Sequence, residues 1–124
     1  MRILITGDKG FVGTETKKYI AQVADVDVIG YDIMDTADIR DYDQLERVVE
    51  STQPHRVLHL AAIARFADAD ANPVLAHETN VVGTQNVVEV CKKHNIPLVY
   101  ASTGSAYMPI ELEPPIKETF PVRG

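Results

Sequence analysis

The sequence predicts an α/β fold, a doubly wound parallel sheet with helices on both faces. Short apolar runs alternate with amphipathic helical patterns along the 124 residues, and this alternation builds right-handed βαβ units. Gly7, Gly10 and Gly13 lie between the first apolar run and the first helical pattern. Asp32 closes the second apolar run, about twenty residues further on.

The apolar runs predict four strands, over residues 2–6, 26–31, 56–62 and 97–101. The first helix begins near Val12, with its apolar side at positions 12, 16, 19, 20 and 23. Asp41 is expected to cap a second helix, which ends before Pro54.

A third, longer helix is expected from about Val74 to His94, ending at Asn95 and Pro97. Its predicted buried positions are Val81, Val82, Val87, Val88 and Cys91. Residues 102–124 hold four of the seven prolines and are predicted to be loop-like. The expected organisation is one domain, residues 1–124.

Composition limits the classes of partner. The formal net charge is −6 and the basic residues form no run, which argues against nucleic acid. No apolar stretch approaches membrane-spanning length, and no signal peptide is visible after Met1. The single cysteine, Cys91, lies in an apolar pattern and is expected to be a buried structural thiol. We therefore expect a cytoplasmic protein, with no metal site and no membrane contact.

The glycine segment has the properties of a phosphate-binding loop. Gly7 permits a tight turn, Gly10 lets the backbone approach a pyrophosphate, and Gly13 allows close packing of the helix. Asp32 would accept hydrogen bonds from the adenosine ribose and repel a 2′-phosphate, which favours NAD over NADP. The alternative is an ordinary turn, with Asp32 only ending a strand.

The three-and-three glycine spacing in TGDKGFVG (6–13) resembles the extended short-chain dehydrogenase/reductase superfamily, in particular the nucleotide-sugar epimerases, dehydratases and reductases. Four further segments are similar to motifs of that family: ADIRD (37–41), HLAA (59–62), TNVVGT (79–84) and YASTGSAY (100–107). The resemblance implies a Rossmann-like doubly wound sheet, incomplete here at its C-terminal end. It also implies an NAD cofactor, a nucleotide-sugar substrate and a homodimer.

The resemblance also implies roles for individual residues. Asp38 and Ile39 would contact the adenine, although Asp38 and Asp41 could instead compete to cap the next helix. Asn80 would brace the loops around the cofactor, and the Thr103 hydroxyl would bind the substrate oxygen as the catalytic group. His59 is expected to be a packed strand residue. The complete cofactor-binding set is Gly7, Gly10, Phe11, Val12, Gly13, Asp32, Asp38, Ile39, Leu60, Ala61, Ala62, Asn80 and Ser102.

The family's chemistry requires a Tyr-x-x-x-Lys pair, in which the lysine lowers the pKa of the tyrosine. None of the five tyrosines is followed by lysine at the fourth position. The Glu-x-x-Pro segment (118–121) resembles the approach to that pair. We therefore expect the N-terminal, NAD-binding portion of a longer enzyme. The alternatives are a non-catalytic NAD-binding or sensing module, and a sugar reductase similar to dTDP-4-dehydrorhamnose reductase.

Overall fold

The computed structural model describes residues 1–23 and 25–107, together with Lys117 and Thr119. In this part of the chain a parallel four-stranded sheet has the order β2-β1-β3-β4. Its strands are β1 (Arg2–Thr6), β2 (Asp27–Tyr31), β3 (Arg56–His59) and β4 (Leu98–Tyr100). The Glu-x-x-Pro segment (118–121) lies outside the described residues, apart from Thr119.

Helices connect successive strands, which confirms the predicted Rossmann-like α/β fold. The α-helices are α1 (Phe11–Val23), α2 (Tyr42–Thr52), α3 (Phe66–Ala71), α4 (Pro73–His77) and α5 (Thr84–Lys93). A π-helical segment, Glu78–Gly83, joins α4 to α5, and two 3₁₀ turns span Ile33–Asp35 and Gly104–Tyr107. Within the described residues, every helix is too short or too polar to cross a lipid bilayer.

The hydrophobic core lies between the sheet and the pair α2 and α5. Because β2 and β3 flank β1 on opposite sides, right-handed crossovers place α1 on one face and α2 and α5 on the other. The strand register aligns Leu4 with Ile29 and Val57 at the sheet centre. The buried cluster consists of Leu4, Tyr31, Ile39, Leu45, Val49, Val57, Val87, Val90 and Cys91.

The predicted apolar side of α1 is largely exposed. Among residues 11–22 only Gly13 is buried, while Val12 and Tyr19 are exposed. On β4, the edge strand beyond β3, Val99 is also exposed. No second helix of the described chain covers this face, so the pattern identified the helix correctly but overestimated its burial.

The long helix also differs in detail from its prediction. It runs from Pro73 to Lys93 with the π segment in its middle, and it is preceded by α3, which was not predicted. Val87 and Cys91 are buried as expected, whereas Val81, Val82 and Val88 are exposed. The helix carries valines on two sides and the sheet covers only one. Strand β3 ends at His59, so residues 60–62 are free to form a loop.

Candidate functional site

A cavity of about 420 Å³ opens at the carboxyl ends of β1, β2 and β3. The loops that follow these three strands form most of its wall. Strand order reverses here, because the chain passes from β1 to β2 on one side and to β3 on the other. Ligands of open α/β sheets bind at such a point.

Most of the predicted cofactor-binding residues line this cavity. They are Gly7, Gly10, Asp32, Asp38, Ile39, Leu60, Ala61 and Ala62. The predicted residues outside its described wall are Phe11, Val12, Gly13, Asn80, Ser102 and Thr103. Sequence reasoning missed nine wall residues: Lys9, Tyr31, Ile33, Met34, Ala37, Arg40, Ile63, Leu75 and Thr79.

The glycine loop is held close to the loop after β3. Gly7 has φ +72°, and a Cβ there would stand 2.7 Å from the backbone nitrogen of Ala61. The N–H of Gly7 donates to the Tyr31 carbonyl at 2.8 Å. A side chain at this position would therefore be both strained and in collision with backbone. Immediately after the loop, the first N–H groups of α1 have no partner within the helix, which suits an anionic ligand.

Asp32 is fixed by its own neighbourhood. Its Oδ2 accepts from the Lys9 N–H at 3.0 Å and its Oδ1 accepts from the Met34 N–H at 2.9 Å. The second bond caps the 3₁₀ turn after β2. The carboxylate thus ties the glycine loop to the β2 loop and remains part of the cavity wall.

Asp38 forms an ion pair inside the predicted adenine segment. Its carboxylate accepts from the Arg40 guanidinium, with Nη2 at 2.6 Å from Oδ2, and this bond lowers the pKa of Asp38. Arg40 also lies 3.2 Å from Glu78 at the start of the π segment. Asp41, not Asp38, caps α2 by accepting from the Gln44 N–H at 2.9 Å.

Gln44, in α2, holds the same loop through three hydrogen bonds. Its Oε1 accepts from the Asp38 N–H at 2.9 Å and lies 3.0 Å from the Tyr31 hydroxyl, while its Nε2 donates to the Thr36 carbonyl. Burial raises the pKa of Tyr31. No sequence signal distinguished Gln44 from the other polar residues of α2.

His59 connects β1, β3 and α5. Its Nδ1 lies 2.6 Å from the Thr6 hydroxyl, and its Nε2 lies 2.9 Å from the Thr84 hydroxyl. Thr6 Oγ1 also accepts from the N–H groups of Leu60 and Ala61, so its own proton is available to Nδ1. The bonding therefore fits a neutral ring protonated on Nε2, and burial lowers the pKa of His59.

Asn80 holds the loop after β3. Its Oδ1 accepts from the Ile63 N–H at 2.8 Å and its Nδ2 donates to the Ile63 carbonyl at 3.0 Å. Both bonds come from the π segment. Asn80 thus contacts the loop that lines the cavity without lining the cavity itself.

The remaining predicted groups lie elsewhere. Ser102 and Thr103 follow β4 and are exposed. Cys91 is buried in α5, and burial raises the pKa of its thiol to about 11. This environment suits a packed side chain and not a nucleophile.

Comparison with known proteins agrees with the fold. Residues 1–107 match the family model described as RmlD substrate binding domain. The chain is 33% identical to dTDP-glucose 4,6-dehydratase of Salmonella typhimurium over 114 residues, which is 76% of this chain and 32% of that protein.

Two solved structures of similar fold are complexes with a nicotinamide cofactor. The Thermus thermophilus UDP-glucose 4-epimerase, in complex with NAD, has a TM-score of 0.85 at 30% identity and covers 99% of this chain and 44% of its own. The Bacillus anthracis dTDP-4-dehydrorhamnose reductase, in complex with NADP, has a TM-score of 0.77 at 28% identity and covers 86% of this chain and 37% of its own.

This chain spans less than half the length of each of these proteins. The family match, in contrast, takes in most of the chain and includes all four strands and the cavity. The chain therefore belongs to the RmlD substrate binding domain family, within the extended short-chain dehydrogenase/reductase superfamily.

Proposed function

We propose that this chain is the NAD(H)-binding portion of an enzyme that transfers hydride between a sugar carbon of a nucleotide sugar and nicotinamide. One observation carries the proposal: the cavity between the glycine loop, Asp32 and the loop after β3. Its position at the reversal of strand order, beside the start of α1, is the position at which dinucleotides bind this class of sheet.

The residues around the cavity have the chemistry that a dinucleotide needs. The wall near Gly10 exposes backbone, which suits the pyrophosphate. Ile39, Leu60 and Met34 supply an apolar surface for an adenine ring, and Asp38 lies at its edge. The fit therefore requires no cationic side chain on the phosphates.

Asp32 favours NAD over NADP. The side chain is almost completely buried, yet it lines the cavity beside the expected position of the ribose. A 2′-phosphate there would bring negative charge against the carboxylate, whereas ribose hydroxyls can donate to it.

The catalytic role that we assign to this chain is limited to Thr103, whose hydroxyl would bind the substrate oxygen at the end of β4. Bound NAD would supply the acceptor or donor of hydride. We place the tyrosine and lysine of the family in the longer protein of which residues 1–124 form the dinucleotide-binding domain. The lengths of the relatives support this assignment. We further propose a cytoplasmic location, which fits the single, buried thiol.

The match to the RmlD family also favours a second candidate, a sugar reductase similar to dTDP-4-dehydrorhamnose reductase. The short connection from Asp32 to Asp38 supports it. A non-catalytic NAD-binding module remains the alternative from another class. Intact mass of the native protein separates these: a product near 35 kDa, roughly two domain lengths, supports the enzyme, and a product of 13.7 kDa contradicts it.

Titration with NADH, followed by nicotinamide fluorescence, tests the binding itself. We expect saturable binding by the wild-type chain and its loss in Gly10→Val. A Cβ at position 10 would stand 3.3 Å from the Gly7 carbonyl oxygen, a tight contact that a backbone shift of a few tenths of an ångström relieves, so the added side chain occupies the cavity wall. Ala21→Val is the matched control, because Ala21 is exposed at the far end of α1 from the glycine loop. Equal affinity in the wild type and Gly10→Val would contradict the proposal.

We also propose that the protein forms a homodimer. The exposed side of the long helix carries Val81, Val82 and Val88, and Val74 lies exposed one helical segment earlier. Several exposed valines on one helix are typical of protein interfaces.

A further inference from the structure

A largely buried ion pair joins the glycine loop to α1. Asp8, the second residue of the loop after β1, is 4% exposed. Its Oδ2 accepts from the ammonium of Lys17, which extends from the second turn of α1. The lysine side chain is 34% exposed, so one partner is buried and the other reaches solvent. Asp8 is thus a charged residue of the loop whose carboxylate is held by a lysine of α1.

The surroundings of Asp8 are tight and supply little else to stabilise its charge. A Cβ added at Gly30 in β2 would stand 2.6 Å from Asp8 Oδ2, so the carboxylate packs against bare strand backbone. Among the described buried side-chain atoms, Asp8 Oδ1 is the one without a hydrogen-bond partner. Lys17 is therefore the main compensation for this negative charge.

The charges around the loop are arranged in pairs. Lys9 contacts Asp35, and Lys17 contacts Asp8. These two pairs leave Asp32 as the carboxylate of this group without a lysine partner, and its bonds come from backbone N–H groups. A pyrophosphate that binds the loop brings two further negative charges close to Asp8.

We propose that Lys17 is a positioning residue for the dinucleotide site: its ammonium neutralises the Asp8 carboxylate within the glycine loop and so permits the same loop to bind a pyrophosphate. This inference rests on the proposed function. Lys17 need not touch the ligand, because it acts through the charge of Asp8. At an effective dielectric constant of about 20, an uncompensated charge several ångströms from a phosphate weakens binding by about tenfold or more.

The test is a double-mutant cycle of Asp8 and Lys17 in the full 124-residue chain, with NADH and adenosine as the two ligands. We expect Lys17→Met to weaken NADH binding by about tenfold. Asp8→Asn removes the negative charge and should leave NADH binding equal or tighter. The double variant Asp8→Asn/Lys17→Met should return to within about twofold of the wild type. Adenosine carries no phosphate, so its affinity should be the same in all variants.

Two variants control for effects other than charge. Lys17→Arg keeps the positive charge and should bind NADH as the wild type does. Lys18→Met removes the neighbouring lysine, which pairs with Glu15 on the exposed side of α1 at 2.7 Å, and should change nothing.

Weaker NADH binding by Lys17→Met, together with equal or tighter binding by Asp8→Asn, would support the charge-compensation role. Equal weakening by both substitutions, with a parallel loss of adenosine affinity, would overturn it in favour of a purely structural pair. An unchanged NADH affinity in Lys17→Met would overturn it as well, while leaving the proposed function intact. Absence of NADH binding by the wild type would instead contradict the proposed function.

Discussion

Asp32 shows how a single residue serves both the fold and the cavity. Its sequence position predicts a ribose ligand, and the structure adds that both carboxylate oxygens already accept backbone N–H groups. Each oxygen retains a further lone pair for a hydroxyl. The two roles are compatible, because the same bonds that order the β2 loop also hold the carboxylate at the cavity wall.

We therefore expect the wild type to bind NADH at least about tenfold more tightly than NADPH, because a 2′-phosphate would face the carboxylate. In Asp32→Asn this ratio should fall towards one, and stability should drop by about 1–3 kcal/mol, since an amide offers only one acceptor for two N–H groups. Fluorescence titration with both ligands and urea denaturation measure the two effects. Asp27→Asn, at the exposed opposite end of β2, is the control. An unchanged ratio in Asp32→Asn would show that another group discriminates.

His59 gives a prediction for pH. Burial lowers its pKa in the folded state below the ordinary value of 6.5. Between these two values the unfolded chain binds the extra proton, so the stability contribution is complete above about pH 6.5 and is lost as pH falls below it.

In urea denaturation at pH 7.5 and 5.5, we expect the wild type to lose more stability than His59→Gln does. One proton accounts for at most about 1.4 kcal/mol per pH unit. His77→Gln, on the surface of α4, serves as a control that retains the full pH response. Parallel losses in the wild type and His59→Gln would contradict the assignment.

At the scale of elements, the sequence pattern was sufficient to predict those strands and helix ends that depend on neighbouring residues in the chain. The apolar runs located all four strands of the described sheet, and Asp41 caps α2 as its position indicated. The π segment could not be predicted, because its register depends on tertiary contacts such as Asn80 with Ile63. The exposure of α1 could not be predicted either, since a periodic pattern shows that a helix face is apolar but not which element covers it.

The α2 cap predicts a measurable loss of stability. Asp41→Ala should lower the free energy of unfolding by about 1 kcal/mol, because the Gln44 N–H loses its acceptor. Asp43→Ala, in the first turn of the same helix but without the capping bond, should cost about 0.5 kcal/mol or less. Equal losses in urea denaturation would mean that the helix dipole, and not the cap, accounts for the effect.

At the scale of the whole molecule, two apolar surfaces stand out: the exposed side of α1 with Val99, and the outer side of the long helix. The first lies on the sheet face that carries α1 alone among the described helices, and we propose that the rest of a longer protein packs there. The second lies on a helix that is already packed on its other side, which favours a partner copy.

The proposed homodimer can be tested on the outer side of the long helix. We expect light scattering after size exclusion to give twice the chain mass of 13.7 kDa for the wild type and the chain mass for Val82→Lys. Val12→Lys, on the opposite face of the sheet, is the control and should leave the dimer intact. A dimer that survives Val82→Lys but not Val12→Lys would place the interface on α1 instead.

The central claim is that the cavity at the strand ends binds NAD, and amide chemical-shift mapping with NAD tests it most directly. We expect saturable shifts concentrated in the glycine loop (7–13), the β2 loop (32–40) and residues 60–63, with adenosine reproducing mainly the shifts of the β2 loop. The amide shifts around Gln53 and His94, which line a depression near the starts of β3 and β4, should stay unchanged. Shifts that cluster there, or no saturable shifts in the glycine loop, would contradict the claim.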